Sequence, residues 1–135
     1  MVVQKWETGT LRTIYRRFQP GESLVADLEA FAKVEGIREA IIASSIGSLT
    51  QLKLRNLCQY VDGAPEFERT VIDGNLEVVS AEGYIQPLPD GGTRVHIHLA
   101  AAKPSGEMIG GHCEEATVFT GMFMYIQVIE DEPAA

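Results

Sequence analysis

At 135 residues, with 45% hydrophobic and 22% charged residues, the chain has the size and mixture of one globular domain, which excludes a disordered or fibrous protein. Its formal net charge of -8 argues against direct nucleic-acid binding, because phosphates are gripped mainly by lysine and arginine. No apolar run approaches the roughly 20 residues of a membrane helix, and Met1–Thr10 lacks the basic start and apolar centre of a secretion signal, so a cytoplasmic protein is expected.

Along the chain, Leu11–Phe18 alternates as a strand, with Ile14 and Phe18 on one face and Leu11 and Tyr15 on the other. Its basic residues Arg12, Arg16 and Arg17 read as solvated or ion-paired side chains. Pro20 and Gly21 stop the strand. From Glu22 to Glu35 the residues Leu24, Val25, Leu28, Phe31 and Ala32 recur at helical spacing, and Gly36 is placed to end the helix in a left-handed conformation. Ala40–Ala43 reads as a buried strand and Gly47–Ser48 as the turn after it. Six further extended stretches follow, Leu49–Tyr60, Phe67–Ile72, Leu76–Ile85, Arg94–Ala101, Glu115–Phe119 and Met122–Ile129. Turn formers such as Asp73–Gly74 and Pro89–Gly92 separate them, and 62–65 and 87–92 read as exposed loops. One helix among about seven strands predicts an α+β fold, a single domain over 1–135 with 1–9 and 131–135 as flexible ends. Glu130 to Glu132 reads as a frayed acidic tail.

The concentrated chemistry is histidine. On the strand Arg94–Ala101 side chains alternate between faces, so His96 and His98 project from one side about 7 Å apart while Val95, Ile97 and Leu99 project from the other. Two neutral imidazoles on a rigid strand can converge on one metal ion, provided a third ligand arrives. His112 is the candidate: Lys103–Gly111 can fold back as a loop, and Gly110–Gly111 permits close backbone approach. Three histidines around zinc leave one coordination position open for a ligand. The alternative reading of the same spacing is a pair of ordinary strand histidines and a loop histidine, with no ion.

The other candidates carry less. Cys58 and Cys113 read as reduced thiols, Cys113 as a small core residue. Glu107, Glu114 and Glu115 could orient an imidazole but read more simply as solvated carboxylates. No serine stands in a nucleophile elbow and no glycine-rich loop matches a phosphate cradle.

Taken together, several stretches resemble the PPC (plants and prokaryotes conserved) domain. They are Pro20-Gly21-Glu22 opening a helix, Ile46-Gly47-Ser48-Leu49, and Leu76-Glu77-Val78-Val79-Ser80 before Gly83. The most specific is His96-Ile97-His98 followed by Gly106 and then Gly110-Gly111-His112. The resemblance implies an antiparallel sheet flanked by helices, assembled as a homotrimer, with His96, His98 and His112 near subunit contacts and holding a metal, zinc or another divalent ion. It also carries a provisional DNA-binding label, which rests on plant members with AT-hook segments. This chain has no Arg-Gly-Arg-Pro, so the implied role is oligomerisation or binding of a protein or small-ligand partner. Lys103 and Ser105 depart from the pattern, because many relatives place acidic residues before the glycine matching Gly106. Three functions are therefore expected in this order: an oligomeric metal- or ligand-binding module, a metal-dependent enzyme acting on a small molecule, and a direct DNA-binding protein.

Overall fold

Alternating side chains become five long strands in the computed structural model, which describes residues 10–130. The strands are β1 (Thr10–Phe18), β2 (Ala40–Val61), β3 (Ala64–Pro87), β4 (Thr93–Ala102) and β5 (Met108–Glu130), with one helix, α1 (Leu24–Glu35), between β1 and β2. The expected flexible ends, and residues 131 and 132 of the acidic tail, lie outside the described residues.

All pairings are antiparallel, in the order β1-β5-β2-β3-β4, and β5 also pairs with β4. That last pairing closes β2, β3, β4 and β5 into a ring, because the first residues of β5, Met108 to His112, bond β4 while Cys113 to Val128 bond β2. The count is five strands rather than about seven, and one helix flanks the sheet among the described residues. The reason lies in two supposed turns and one gap between predicted strands, through all of which the chain runs on as strand. Gly47 sits inside β2, where a Cβ would strike the Gly121 carbonyl and lie 2.7 Å from the Met122 Cα. It is a close-approach glycine, which serves a strand as well as a turn. Asp73–Gly74 is likewise internal to β3, beside a register shift at Leu49/Gln51 on β2. Thr120–Gly121, between two stretches read as separate, is internal to β5.

True reversals are tighter than expected. Asp62 and Gly63, both at positive φ (50° and 77°), form a two-residue connection between the paired Val61 and Ala64, the backbone that a primed hairpin turn needs. Pro65 already belongs to β3. Leu88–Gly92 links β3 to β4, with Asp90 accepting from the Gly92 N–H at 2.8 Å.

The helix ends as its sequence predicts, with Gly36 in the left-handed region at φ 69° and its N–H on the carbonyls of Ala32 and Lys33. At its start Ser23 gives no side-chain cap. Glu115 of β5 instead accepts the N–H groups of Val25 (2.7 Å) and Ala26 (3.0 Å), so a carboxylate read as solvated fixes the helix to the sheet. Leu24, Leu28 and Ala32 line the buried side of α1 and join one core with Ile42, Leu52, Ile85, Ile97, Val118 and Ile126. Arg12 pairs with Glu130 at 2.7 Å, Arg16 lies 3.7 Å over the Phe18 ring, and Arg17 stands over Phe123, so the basic residues of β1 are engaged rather than free.

Candidate metal centre

The alternation of β4 sends Val95, Ile97 and Leu99 into the core and His96 and His98 to the other face. His112 arrives by a shorter route than a folded-back loop. The β4–β5 connection is only Lys103–Glu107, closed by Lys103 N–H to the Glu107 carbonyl at 2.9 Å and turned by Gly106 at φ 89°. From Met108 onward the chain is strand, and His112 stands directly opposite His98 in the β4–β5 ladder. His112 is therefore a strand residue, held by backbone pairing rather than by a loop.

Glycine is what lets this happen. A Cβ on Gly110 would strike the Leu99 carbonyl and come within 3.0 Å of the Ala100 Cα, and one on Gly111, at φ 142°, would drive into the Asn56 side chain. The expected close backbone approach at Gly110–Gly111 is present. Asn56 of β2 uses that space, accepting the His112 N–H at 3.0 Å and donating to the Gly110 carbonyl at 3.2 Å. Sequence reading missed Asn56, which lies on another strand, and only the small residue at Gly111 hinted that something approaches.

The three imidazoles meet. Ring centroids are 5.0 Å apart for His96 and His98, 4.8 Å for His96 and His112, and 5.4 Å for His98 and His112. One nitrogen from each lies within 4.8 Å of the others, and the Nε2 atoms of His96 and His98 are 3.2 Å apart. Zinc–nitrogen bonds of about 2.0–2.1 Å at a tetrahedral angle place two ligating nitrogens about 3.3 Å apart. The His96–His98 separation already matches that edge, and a His112 nitrogen lies within 4.8 Å of both.

Electrostatics favour the neutral ring at His96 and at His112. Burial, then the charge of His98 and of Arg94, holds the His96 pKa below its ordinary value of 6.5. Burial again leads for His112, followed by His96, His98, Arg94 and Arg55. A neutral imidazole has the lone pair that a metal needs. A lowered folded-state value also means that the unfolded chain binds protons more readily, so stability of the metal-free protein is steady above 6.5 and falls as pH drops through the lowered values. Melts in chelator between about pH 7.5 and 5 should show this fall, and the His96→Gln/His112→Gln double variant should flatten it.

Other candidates lie elsewhere. Cys113 alternates with His112 and points into the core, where burial and then Glu115 push its thiol up to about 12, so it is the small core residue expected. Glu114 pairs with Arg69 at 3.1 Å and Glu107 with Lys103 at 3.6 Å. The carboxylate nearest in register is Glu82, opposite His98 on β3, whose Oε1 accepts from the Ser80 hydroxyl at 3.2 Å. Tyr84 stands edge-on to His96 at 5.3 Å.

Comparison with known proteins gives the family and the fold. The model of the Plants and Prokaryotes Conserved (PCC) domain matches residues 6–130. The chain belongs to the PCC domain family. Its fold resembles a plant- and prokaryote-conserved protein from Pyrococcus horikoshii, with TM-score 0.80, 31% identity, and coverage of 98% of this chain and 87% of that one. It is equally similar, at TM-score 0.80, to a metal-containing protein from Archaeoglobus fulgidus, with 28% identity and coverage of 98% and 88%. Among curated sequences, this PCC domain is 35% identical over 109 residues to the bifunctional protein GlmU of Synechococcus sp. (strain JA-3-3Ab). The match takes in 81% of this chain but 16% of that protein, so the chain spans a small part of the relative's length.

Asn56 gives a test of how the PCC site is oriented. Asn56→Ala removes both bonds that seat the His112 backbone, and loss of such an outer partner should weaken zinc binding by about 10–100-fold. Competition with a chromophoric chelator measures it. An unchanged affinity would show that Asn56 supports only the strand.

Proposed function

We propose that this PCC domain is a self-assembling binding module that holds a divalent metal, zinc first, on His96, His98 and His112. The observation that carries the reading is the convergence of one nitrogen from each ring within 4.8 Å. An all-imidazole donor set suits zinc among common divalent ions, and its likeness to a metal-containing archaeal protein supports the assignment. Bound there, zinc supplies Lewis acidity and an open position for a ligand.

Assembly as a homotrimer is the second half of the proposal. Tyr15 of β1, Phe123 and Tyr125 of β5 and Ile46 of β2 lie side by side in the pairing register, and Tyr15, Tyr125 and Ile46 are about half exposed or more. An apolar strip of this kind on a sheet face, capped at Phe123 by Arg17, favours a partner, and a second copy supplies one. Elemental analysis of protein purified without added metal, alongside sedimentation equilibrium, tests both halves. Metal at one ion per chain in a trimer is expected, whereas metal-free protein or a stable monomer removes the corresponding half.

A metal-dependent enzyme is the second reading, favoured by the open position that three ligands leave. Direct DNA binding is not favoured, since the chain is acidic and the arginines of β1 are already engaged. No helix among the described residues is long and apolar enough to cross a membrane.

A further inference from the structure

The histidines form one side of a cleft of about 340 Å³, and its remaining walls have a definite chemistry. Arg55 and Leu57 come from β2, Phe67 from β3, and Arg94 from β4. None of the nine lining residues is acidic, although the chain carries 19 acidic residues against 11 basic ones. Two arginines in a lining without carboxylates, inside an acidic protein, form a positive field of the kind that collects anions.

The state of Arg55 sharpens this. Its guanidinium lies 3.9 Å over the Phe67 ring, which fixes its plane, and its Nε is shielded from solvent with no hydrogen-bond partner among the described residues. A shielded donor left unmatched is costly unless something accepts from it. No carboxylate among the described residues does so: Glu114 is taken by Arg69, and Glu82 lies outside the cleft lining. Arg94 shares the face of β4 that carries His96 and His98, so its charge stands in line with the metal ligands. Leu57 and Phe67 add an apolar wall, and both are exposed to solvent over more than a third of their surface.

We propose that the cleft binds a small organic anion, its oxyanion head between the three-histidine site and the guanidinium groups of Arg55 and Arg94, and its short apolar part against Leu57 and Phe67. The inference rests on the metal reading above, because the head occupies the coordination position that three histidines leave open. Planar guanidinium groups suit a carboxylate or a phosphate equally by charge and fork geometry. The apolar wall favours an alkyl-bearing carboxylate over inorganic phosphate.

The test uses the full chain loaded with cobalt(II), whose visible spectrum responds to a change in its ligands, and titrates acetate, butyrate, hexanoate and inorganic phosphate. Metal loading is measured first, so failure to take up cobalt sinks the metal reading and is told apart from failure of the anion site. With cobalt bound, saturable spectral change is expected, with affinity rising from acetate to hexanoate by up to about fourfold per methylene buried. Arg55→Met and Arg94→Met should each weaken carboxylate binding by at least about tenfold while leaving cobalt affinity within about threefold, and Arg38→Gln, remote from the cleft, should change neither. Titration of the metal-free protein followed by its melting temperature gives a readout independent of cobalt. Tighter binding of phosphate than of hexanoate would assign a phosphate ligand and overturn the apolar wall's role. Loaded protein that gives no saturable change, or arginine variants that bind as well as the parent, would overturn the anion site.

Discussion

His98→Ala should lower zinc affinity by at least about 100-fold, more than loss of an outer-shell partner costs, because it removes one of three ligands outright. The fold should survive the change. His98 is an exposed side chain on the face of β4 away from the core, and its backbone bonds to β3 and β5 do not depend on the ring. Competition with a chelator reads the affinity, and far-ultraviolet circular dichroism checks the fold. The same loss is expected for His96→Ala and His112→Ala, and combining two should cost less than the sum of each, because a single remaining imidazole already holds the ion weakly. Affinity that stays at the parent level in all three variants would place the metal elsewhere and end the proposal.

How far this site is visible in the residues alone depends on which contacts are local. The period-2 alternation of 94–101 fixes that His96 and His98 share a face, since a one-residue slip would bury both rings and expose Ile97. The partner His112 is also legible, through the glycines that let β5 approach β4. Its setting is not: Gly110–Gly111 looks like loop, and only pairing with Leu99 and Ala100 makes it strand. The fused strands fail to show for the same reason. Gly47 and Asp73–Gly74 carry a local turn signal that long-range pairing of β2 with β3 and β5 overrides. Asn56, Arg55 and Phe67 reach the cleft from strands β2 and β3 that are distant in sequence, so no spacing rule connects them to the histidines. The helix, by contrast, is set by local residues from its apolar repeat to Gly36, although its N-terminal cap comes from Glu115.

Ile97→Ala should destabilise the metal-free protein by about 2–5 kcal/mol, the range for removing a fully buried aliphatic side chain and leaving a cavity. Ile97 is 0% exposed and stands between the two β4 histidines on the opposite face, so it anchors the strand that aims them. For a chain of this size that loss corresponds to a fall in melting temperature on the order of 10 °C. Zinc should recover part of it, because a ligand that binds only the folded state adds about 2.7 kcal/mol at 100 times its dissociation constant. The variant therefore separates two functions of one strand. If zinc raises the melting temperature of Ile97→Ala as much as that of the parent, the histidines converge even over a loosened core, and backbone pairing at His98 and His112 is what positions them. If zinc raises it much less, packing beneath β4 sets the spacing of the rings. The ladder opposite His98 favours the first outcome, since its bonds to β3 and β5 are formed on both sides of the strand.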